Sequence, residues 1–341
     1  MVDIREFSVS ALAGNCIGFF APMNGGKTQA LVDELKRAWY YDCNSIAYNS
    51  ERNTRERDAI VVNGEFRHPA KTVGSVPELR TDLEKRISQL GASQEGQRGE
   101  VVIIDDISHH RGWPLRVVGI DEVNLFSLTA SEAREMMDLM NWCIKKDIVL
   151  YVAGLIYDFR HLPFGQVHSL LPYVDIKIDK KPACMVIDSS GQKCVRTAKH
   201  TQRLWKMSYS QERGLNDVEL PRVDFVDKDK KPVVDHYVAA PFFDQTVLIE
   251  SGQNAGRGRN VVYLPVCTEC ARLPYREETF RVYDAIVRGG NPEAVLSNPQ
   301  LTAGILEFLC SPDERWGKRE SDGRIVALSH YRNEVGGFSS L

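Results

Sequence analysis

The apolar run Ile17–Ala21 ends in Pro22-Met23-Asn24-Gly25-Gly26-Lys27-Thr28, and Ala30-Leu31-Val32 and Leu35 follow at helical spacing. Strand, glycine loop and helix in that order can make a phosphate site. Backbone N–H groups and a helix N-terminus surround the phosphate, a lysine neutralises it, and a hydroxyl meets the metal. Ala21 stands where the pattern G-x-x-x-x-G-K-[ST] has its first glycine, while Gly26-Lys27-Thr28 match it. The same letters also fit a glycine turn that merely starts a helix. A phosphate site needs a carboxylate at the end of a second strand, and two apolar runs end in acids: Val101–Ile104 before Asp105-Asp106, and Val117–Ile120 before Asp121-Glu122. Either pair would stand at the carboxyl end of a sheet strand, where α/β proteins bind ligands, and spacing does not choose between them. A strand running into a polar turn accounts for each equally well.

Cysteines offer a second chemistry. Of eight, Cys16, Cys43, Cys143 and Cys310 are scattered singly and read as small buried side chains. Cys184 and Cys194 flank a turn-forming Ser189-Ser190-Gly191, and Cys267-Thr268-Glu269-Cys270 has the two-residue spacing that lets two thiolates reach one tetrahedral zinc. Two such knuckles would close a four-thiolate site. The second pair alone also fits a redox couple, but that motif opens a helix, and Pro265-Val266 before it reads as a strand leading into a knuckle.

The elements that must position these groups alternate. Ser45–Tyr48, Val101–Ile104, Val117–Ile120 and Ile148–Ala153 are short, β-branched-rich runs of the kind buried on both faces of a parallel sheet. Between them, Glu78–Leu90 and Ser131–Lys146 carry helical stripes; Ala133, Met136, Met137, Met140 and Ile144 form one that reads as core packing. Residues 1–178 are therefore expected to be a doubly wound α/β domain. Residues 179–272, rich in turns and β-formers, hold all four paired cysteines; within them Asp224–Lys231 reads as a solvated charged loop. Residues 273–341 carry two helices, Glu277–Val287 and Gln300–Leu309, and a polar tail ending Gly336-Gly337. With 341 residues, 43% apolar and 26% charged, the chain has the composition of an ordinary globular protein rather than a disordered or collagenous one. A net charge of −3 gives no global field for a polyanion or an acidic membrane, and no apolar run approaches the roughly 18 residues a membrane span needs. The expected compartment is the cytoplasm, with neither nucleic acid nor membrane as partner.

Taken in order, Gly26-Lys27-Thr28, Ile120-Asp121-Glu122, Ala153-Gly154-Leu155, Phe159-Arg160, Pro163-Phe164-Gly165, Cys184, Thr201-Gln202-Arg203-Leu204 and Tyr263 with Cys267 and Cys270 resemble the type II thymidine kinases, over about three quarters of the chain. The resemblance selects Asp121-Glu122 over Asp105-Asp106. It implies a P-loop NTPase-like parallel sheet flanked by helices, with a small zinc-ribbon lasso domain, to which the C-terminal helices would be an extension. It implies transfer of the ATP γ-phosphate to the 5′-hydroxyl of thymidine in nucleotide salvage. Residues Ala21, Pro22, Met23, Asn24, Gly25 and Gly26 would cradle ATP, with Lys27 on its β- and γ-phosphates and Asn124 nearby. Thr28 and Asp121 would hold Mg²⁺, and Glu122 would take the proton from the nucleophile. Met23, Leu155, Phe159, Phe164, Thr201 and Tyr263 would line the base pocket, although aromatics such as Phe159 and Phe164 also serve as core packing. Cys184, Cys194, Cys267 and Cys270 would hold zinc, and the family's tetramers imply a homo-oligomer.

The departures are specific. Asn53-Thr54-Arg55 stands for the family's Asp-x-Arg, with Glu51 as a substitute acid, and Asn124-Leu125-Phe126 stands for Gln-Phe-Phe. Nine residues separate Cys184 from Cys194 where the family has two, which reads as an enlarged knuckle. About forty residues between Leu204 and Val247 replace a short segment that reads the base, and the family's V-G-G is reduced to Ile249-Glu250-Ser251-Gly252. Alternatives are a kinase of another deoxynucleoside, a P-loop ATPase acting on nucleic acid, and a zinc-ribbon binding module with a decayed phosphate loop.

Overall fold

The central strands are buried along almost their whole length, and their successive side chains alternate between two cores, one on either face of a sheet. In the computed structural model Val117, Val149, Tyr151 and Ala153 face one core with Leu31, Val32 and Leu35, while Val118, Ile120, Leu150 and Val152 face the other with Leu79, Leu83, Met136 and Met140. Residues 8–53, 58–62, 66–91, 99–188, 190–212, 215, 218–227, 229–244, 260–311, 316–319 and 325–327 are described.

Six strands make the sheet: β1 (Cys16–Phe20), β2 (Asn44–Ser50), β3 (Lys71–Val73), β4 (Leu115–Ile120), β5 (Val149–Gly154) and β6 (Ile176–Asp179). Their order is β6-β1-β5-β4-β2-β3 and every pairing is parallel. Helix α1 (Lys27–Arg37) covers one face; α2 (Val76–Gly91) and α3 (Ala130–Lys145) cover the other. The expected α/β layering is therefore present. No helix among the described residues is long and apolar enough to cross a membrane.

One expected strand belongs elsewhere. Among the described residues Val101–Ile104 pairs only with Ile107–His110, antiparallel, as a hairpin closed by Asp105-Asp106. Both turn residues have positive φ, 47° and 63°, the backbone that a two-residue hairpin turn demands and that Asp tolerates. Four β-branched residues in a row satisfy a buried parallel strand or a hairpin alike, and here Val101 and Ile103 are 57% and 71% exposed. Asp105 meets Arg86 of α2 at 3.1 Å, so this acid pair is engaged in the scaffold.

Residues beyond 179 build a second, antiparallel sheet, in which β7 (His200–Lys206) lies between β8 (Tyr237–Ala239) and β9 (Val261–Val266). The long insertion supplies β8, so part of it extends the knuckle's sheet. The charged stretch 224–231 is likewise more than a solvated loop: Phe225 and Val226 are buried and pair with Pro232–Val233, and the Val226 N–H donates to Met185 O at 2.9 Å. The C-terminal helices α4 (Arg276–Val287) and α5 (Pro299–Leu309) pack with Phe242, Phe243 and Trp316 in a separate core. Asn298 caps α5, accepting from the Leu301 N–H at 3.1 Å, with Pro299 at the first helical position. Residues 249–252, Thr54-Arg55 and the tail from 328 lie outside the described residues.

Candidate active site

A phosphate loop requires a backbone that side chains would obstruct, and the turn after β1 has it. Gly26 lies at φ 79°, a left-handed conformation, and a Cβ there would enter open space. A Cβ on Gly25 would run into the Ala21 Cβ at 2.5 Å and the Pro22 carbonyl at 2.8 Å. Ala21 thus fits the first glycine position because Gly25 makes way for it. Helix α1 begins with no side-chain cap, whereas α3 begins with a complete capping box in which Thr129 and Glu132 satisfy each other's backbone N–H groups. The uncapped end has the N–H groups and positive dipole that an anion occupies. Lys27 is buried and its Nζ lies 3.4 Å from Pro22 O.

The acid pair arrives from β4. The Thr28 hydroxyl donates to Asp121, with both carboxylate oxygens at 3.2 Å, so the loop and the second strand meet. Burial and the adjacent Glu122 charge push the Asp121 carboxyl up to about 7, against the pull of Lys27. Glu122 lies at φ 49°, ψ 51°, left-handed for a residue with a Cβ, a strain of about 1–3 kcal/mol that structures retain at functional sites. Its Oε2 is buried and accepts no hydrogen bond among the described residues. A buried carboxylate oxygen with no donor is poised to accept a proton.

Beside the loop lies an apolar cluster of Met23, Leu155 and Phe164, with Leu128 and Tyr263 against it. Two hydrogen bonds tie the loop to the antiparallel sheet: Met23 N–H to Thr201 Oγ1 at 3.0 Å, and Asn24 Nδ2 to Tyr263 O at 2.8 Å. Five of the six expected pocket residues are thereby in one place. Phe159 is buried beside them, its ring faced by the Arg160 and Arg203 guanidiniums. Asn124 Oδ1 accepts from the Leu155 N–H at 3.0 Å, while its buried Nδ2 makes no hydrogen bond among the described residues. Leu125 is fully buried and gives its carbonyl to Arg52. Of the two substitutes for the family's acid, Asn53 bonds Asn49 at 2.9 Å and Glu51 is exposed. Asp244, which pairs with Arg203, carried no signal in the sequence, since one acid after two phenylalanines belongs to no motif.

The four paired cysteines converge, with their sulfurs within 4.8 Å of one another. Nine intervening residues do not separate Cys184 from Cys194, because the described ones among them turn the chain back: Cys184 N–H donates to Arg196 O, Cys194 N–H to Val186 O, and Asp188 accepts from Ser190 and Gln192. The Cys194 and Cys267 sulfurs are 3.9 Å apart. That matches a tetrahedral edge for metal–sulfur bonds of about 2.3 Å, so the donor set fits one zinc ion.

Comparison with known proteins adds an independent line. A family model described as thymidine kinase matches residues 76–218, a span that takes in Asp121-Glu122 and the first knuckle but neither the phosphate loop nor Cys267. The thymidine kinase of Mesoplasma florum is 28% identical over 187 residues, covering 53% of this chain and 72% of that protein. That of Mycoplasmoides gallisepticum is 26% identical over 183 residues, 54% of this chain and 64% of the relative. That of Coprothermobacter proteolyticus is 28% identical over 182 residues, 53% and 71%.

Proposed function

This chain belongs to the thymidine kinase family, and on that premise we propose that it transfers the γ-phosphoryl group of ATP to the 5′-hydroxyl of thymidine. The observation that carries the reading is the meeting of Thr28 with Asp121 at 3.2 Å beside Glu122, whose buried Oε2 has no donor among the described residues. An uncapped helix end, a buried lysine and two acids at one point are what phosphoryl transfer asks of a protein, because its demands are positioning and charge neutralisation.

In this reading the turn 21–26 and the N-terminus of α1 bind the phosphates, and Lys27 lies along the β- and γ-groups. Glu122 takes the proton of the 5′-hydroxyl as the O5′–phosphorus bond forms and the bond to ADP breaks. Thr28 and Asp121, hard oxygen donors, would hold Mg²⁺, which supplies positive charge to the phosphates when bound. Met23, Leu155, Phe164, Thr201 and Tyr263 exclude water around the base and bring the sugar to the phosphate. Cys184, Cys194, Cys267 and Cys270 would hold a structural zinc. An assembly of identical subunits in the cytoplasm completes the proposal.

Transfer from γ-labelled ATP to a panel of deoxynucleosides, with and without single-stranded DNA, tests it. Labelled dTMP is the expected product. Label on another deoxynucleoside alone would move the substrate but keep the chemistry, and ATP turnover that requires DNA would replace the kinase by an ATPase.

A further inference from the structure

Two stretches of the chain beyond the zinc and phosphate motifs, the turn Pro241–Asp244 and helix α5, meet behind the nucleoside pocket through a stack of alternating rings and guanidiniums. The Arg160 guanidinium lies 5.1 Å from the Phe308 ring of α5 and 5.4 Å from the Phe159 ring. Arg203 lies 5.3 Å from the other partner it shares, Phe159, and 5.4 Å from Tyr263. Each cation has its own buried acid. Arg160 Nε meets Asp158 at 2.8 Å, and Arg203 Nε meets Asp244 at 2.6 Å. Asp244 also accepts from the Trp205 indole N–H at 2.8 Å, and Arg203 donates to the Tyr263 hydroxyl.

The last acid is held in place from the C-terminus. The Phe242 N–H donates to Pro274 O at 2.9 Å, the Phe242 ring packs on Phe280, and Gly304 of α5 leaves room for Phe243. A guanidinium between two ring faces fixes their separation, and a desolvated cation over an aromatic face is strongly held. Two pocket aromatics, Phe159 and Tyr263, are therefore spaced by groups that the C-terminal helices and the insertion hold.

The geometry points to a specificity-determining role for these added segments. Phe308 and Asp244 act as positioning residues that set, through Arg160 and Arg203, how Phe159 and Tyr263 grip the deoxynucleoside. This rests on the kinase reading above, and it assigns to the insertion and the C-terminal helices a part in nucleoside affinity and none in phosphate binding.

Steady-state kinetics on the full chain with ATP and nucleoside varied separately test it. Phe308→Leu keeps an apolar side chain but removes the ring face. It should raise the nucleoside KM about three- to tenfold, leave the ATP KM within about twofold, and be reversed by Phe308→Tyr, which restores the face. Asp244→Asn should raise the nucleoside KM further; if that variant does not fold, Tyr263→Phe, which deletes only the hydroxyl that Arg203 meets, should show the same nucleoside-selective rise. A leucine variant with both KM values unchanged, or both raised alike, overturns the inference. Hydrogen exchange on the free protein separates this from the kinase reading. Phe308→Leu should speed exchange of the amides of residues 158–164 and leave those of 27–37 unaltered, and unchanged protection at 158–164 overturns the buttress whatever the substrate. Wild-type protein that labels no deoxynucleoside overturns the kinase reading instead.

Discussion

In the kinase reading, the phosphate side and the nucleoside side of this site are built by opposite means. On the phosphate side the parallel sheet does the positioning: β1 and β4 end at the same edge, and one turn and one acid pair meet there. On the nucleoside side the contacts are long-range, joining Met23 to Thr201 and Asn24 to Tyr263 of a second sheet, beside which four cysteines converge, and Arg160 to Phe308 of a C-terminal helix. A phosphate is the same in every nucleotide, so local backbone geometry suffices for it. A base must be recognised by shape, and a surface assembled from distant segments can be altered by an insertion without touching the chemistry.

Metal removal is the harshest way to break that comparison. One zinc per chain is expected, lost on chelation or in Cys267→Ser. Because a structural zinc site contributes apparent binding free energies of about 10–16 kcal/mol to folding small domains, residues 184–206 and 261–270 should lose protection from hydrogen exchange. The parallel sheet should keep its protection and its ATP binding. Uniform melting of both sheets would mean that the two sides are one cooperative unit, and a freshly purified protein without zinc would remove the premise.

A smaller loss should come from the chemical step. In the kinase reading Glu122→Gln lowers kcat by about 10²–10⁴, the range of a general base, with ATP affinity retained. An unchanged kcat takes the proton-accepting role away from Glu122. Smaller again is the seam between the sides. Thr201→Val leaves the buried Met23 N–H without its acceptor, which should lower stability by about 1–3 kcal/mol and raise the nucleoside KM more than the ATP KM. A urea midpoint that does not move would show that the seam carries no strain when the bond is lost.

The difference in construction also decides what could be read from the sequence. Helices α2 and α3 announce themselves by periodicity, and the expected Glu78–Leu90 and Ser131–Lys146 fall within a few residues of the observed ends. The phosphate loop is local, so Gly25, Gly26, Lys27 and Thr28 are visible in a string of letters. What spacing could not settle was which acid pair the loop meets, because Val101–Ile104 and Val117–Ile120 are equally apolar; the resemblance chose the pair that Thr28 reaches. The knuckle with nine intervening residues was legible only as a widened turn, and the turning back that closes it depends on Asp188 bonding back to its own loop. Asp244 was invisible. Its partner is 41 positions away, and an ion pair across such a separation leaves no periodicity.

The gentlest prediction sharpens the contrast at two helix ends. Helix α3 begins with Thr129 and Glu132 satisfying its first N–H groups, and α1 begins after Gly26, which has no side chain to cap it. If the bare end of α1 is kept bare for a phosphate, capping must be dispensable for catalysis everywhere else. Thr129→Ala should therefore cost about 1 kcal/mol of stability in urea unfolding and leave both KM values and kcat as they were. ATP should in turn stabilise wild type and variant by the same increment, since it binds the native state at the other helix. A kinetic change in Thr129→Ala would mean that α3, which also receives Arg52 through Glu132 at 2.6 Å, transmits to the acid pair preceding it, and the phosphate side would no longer be the self-contained half.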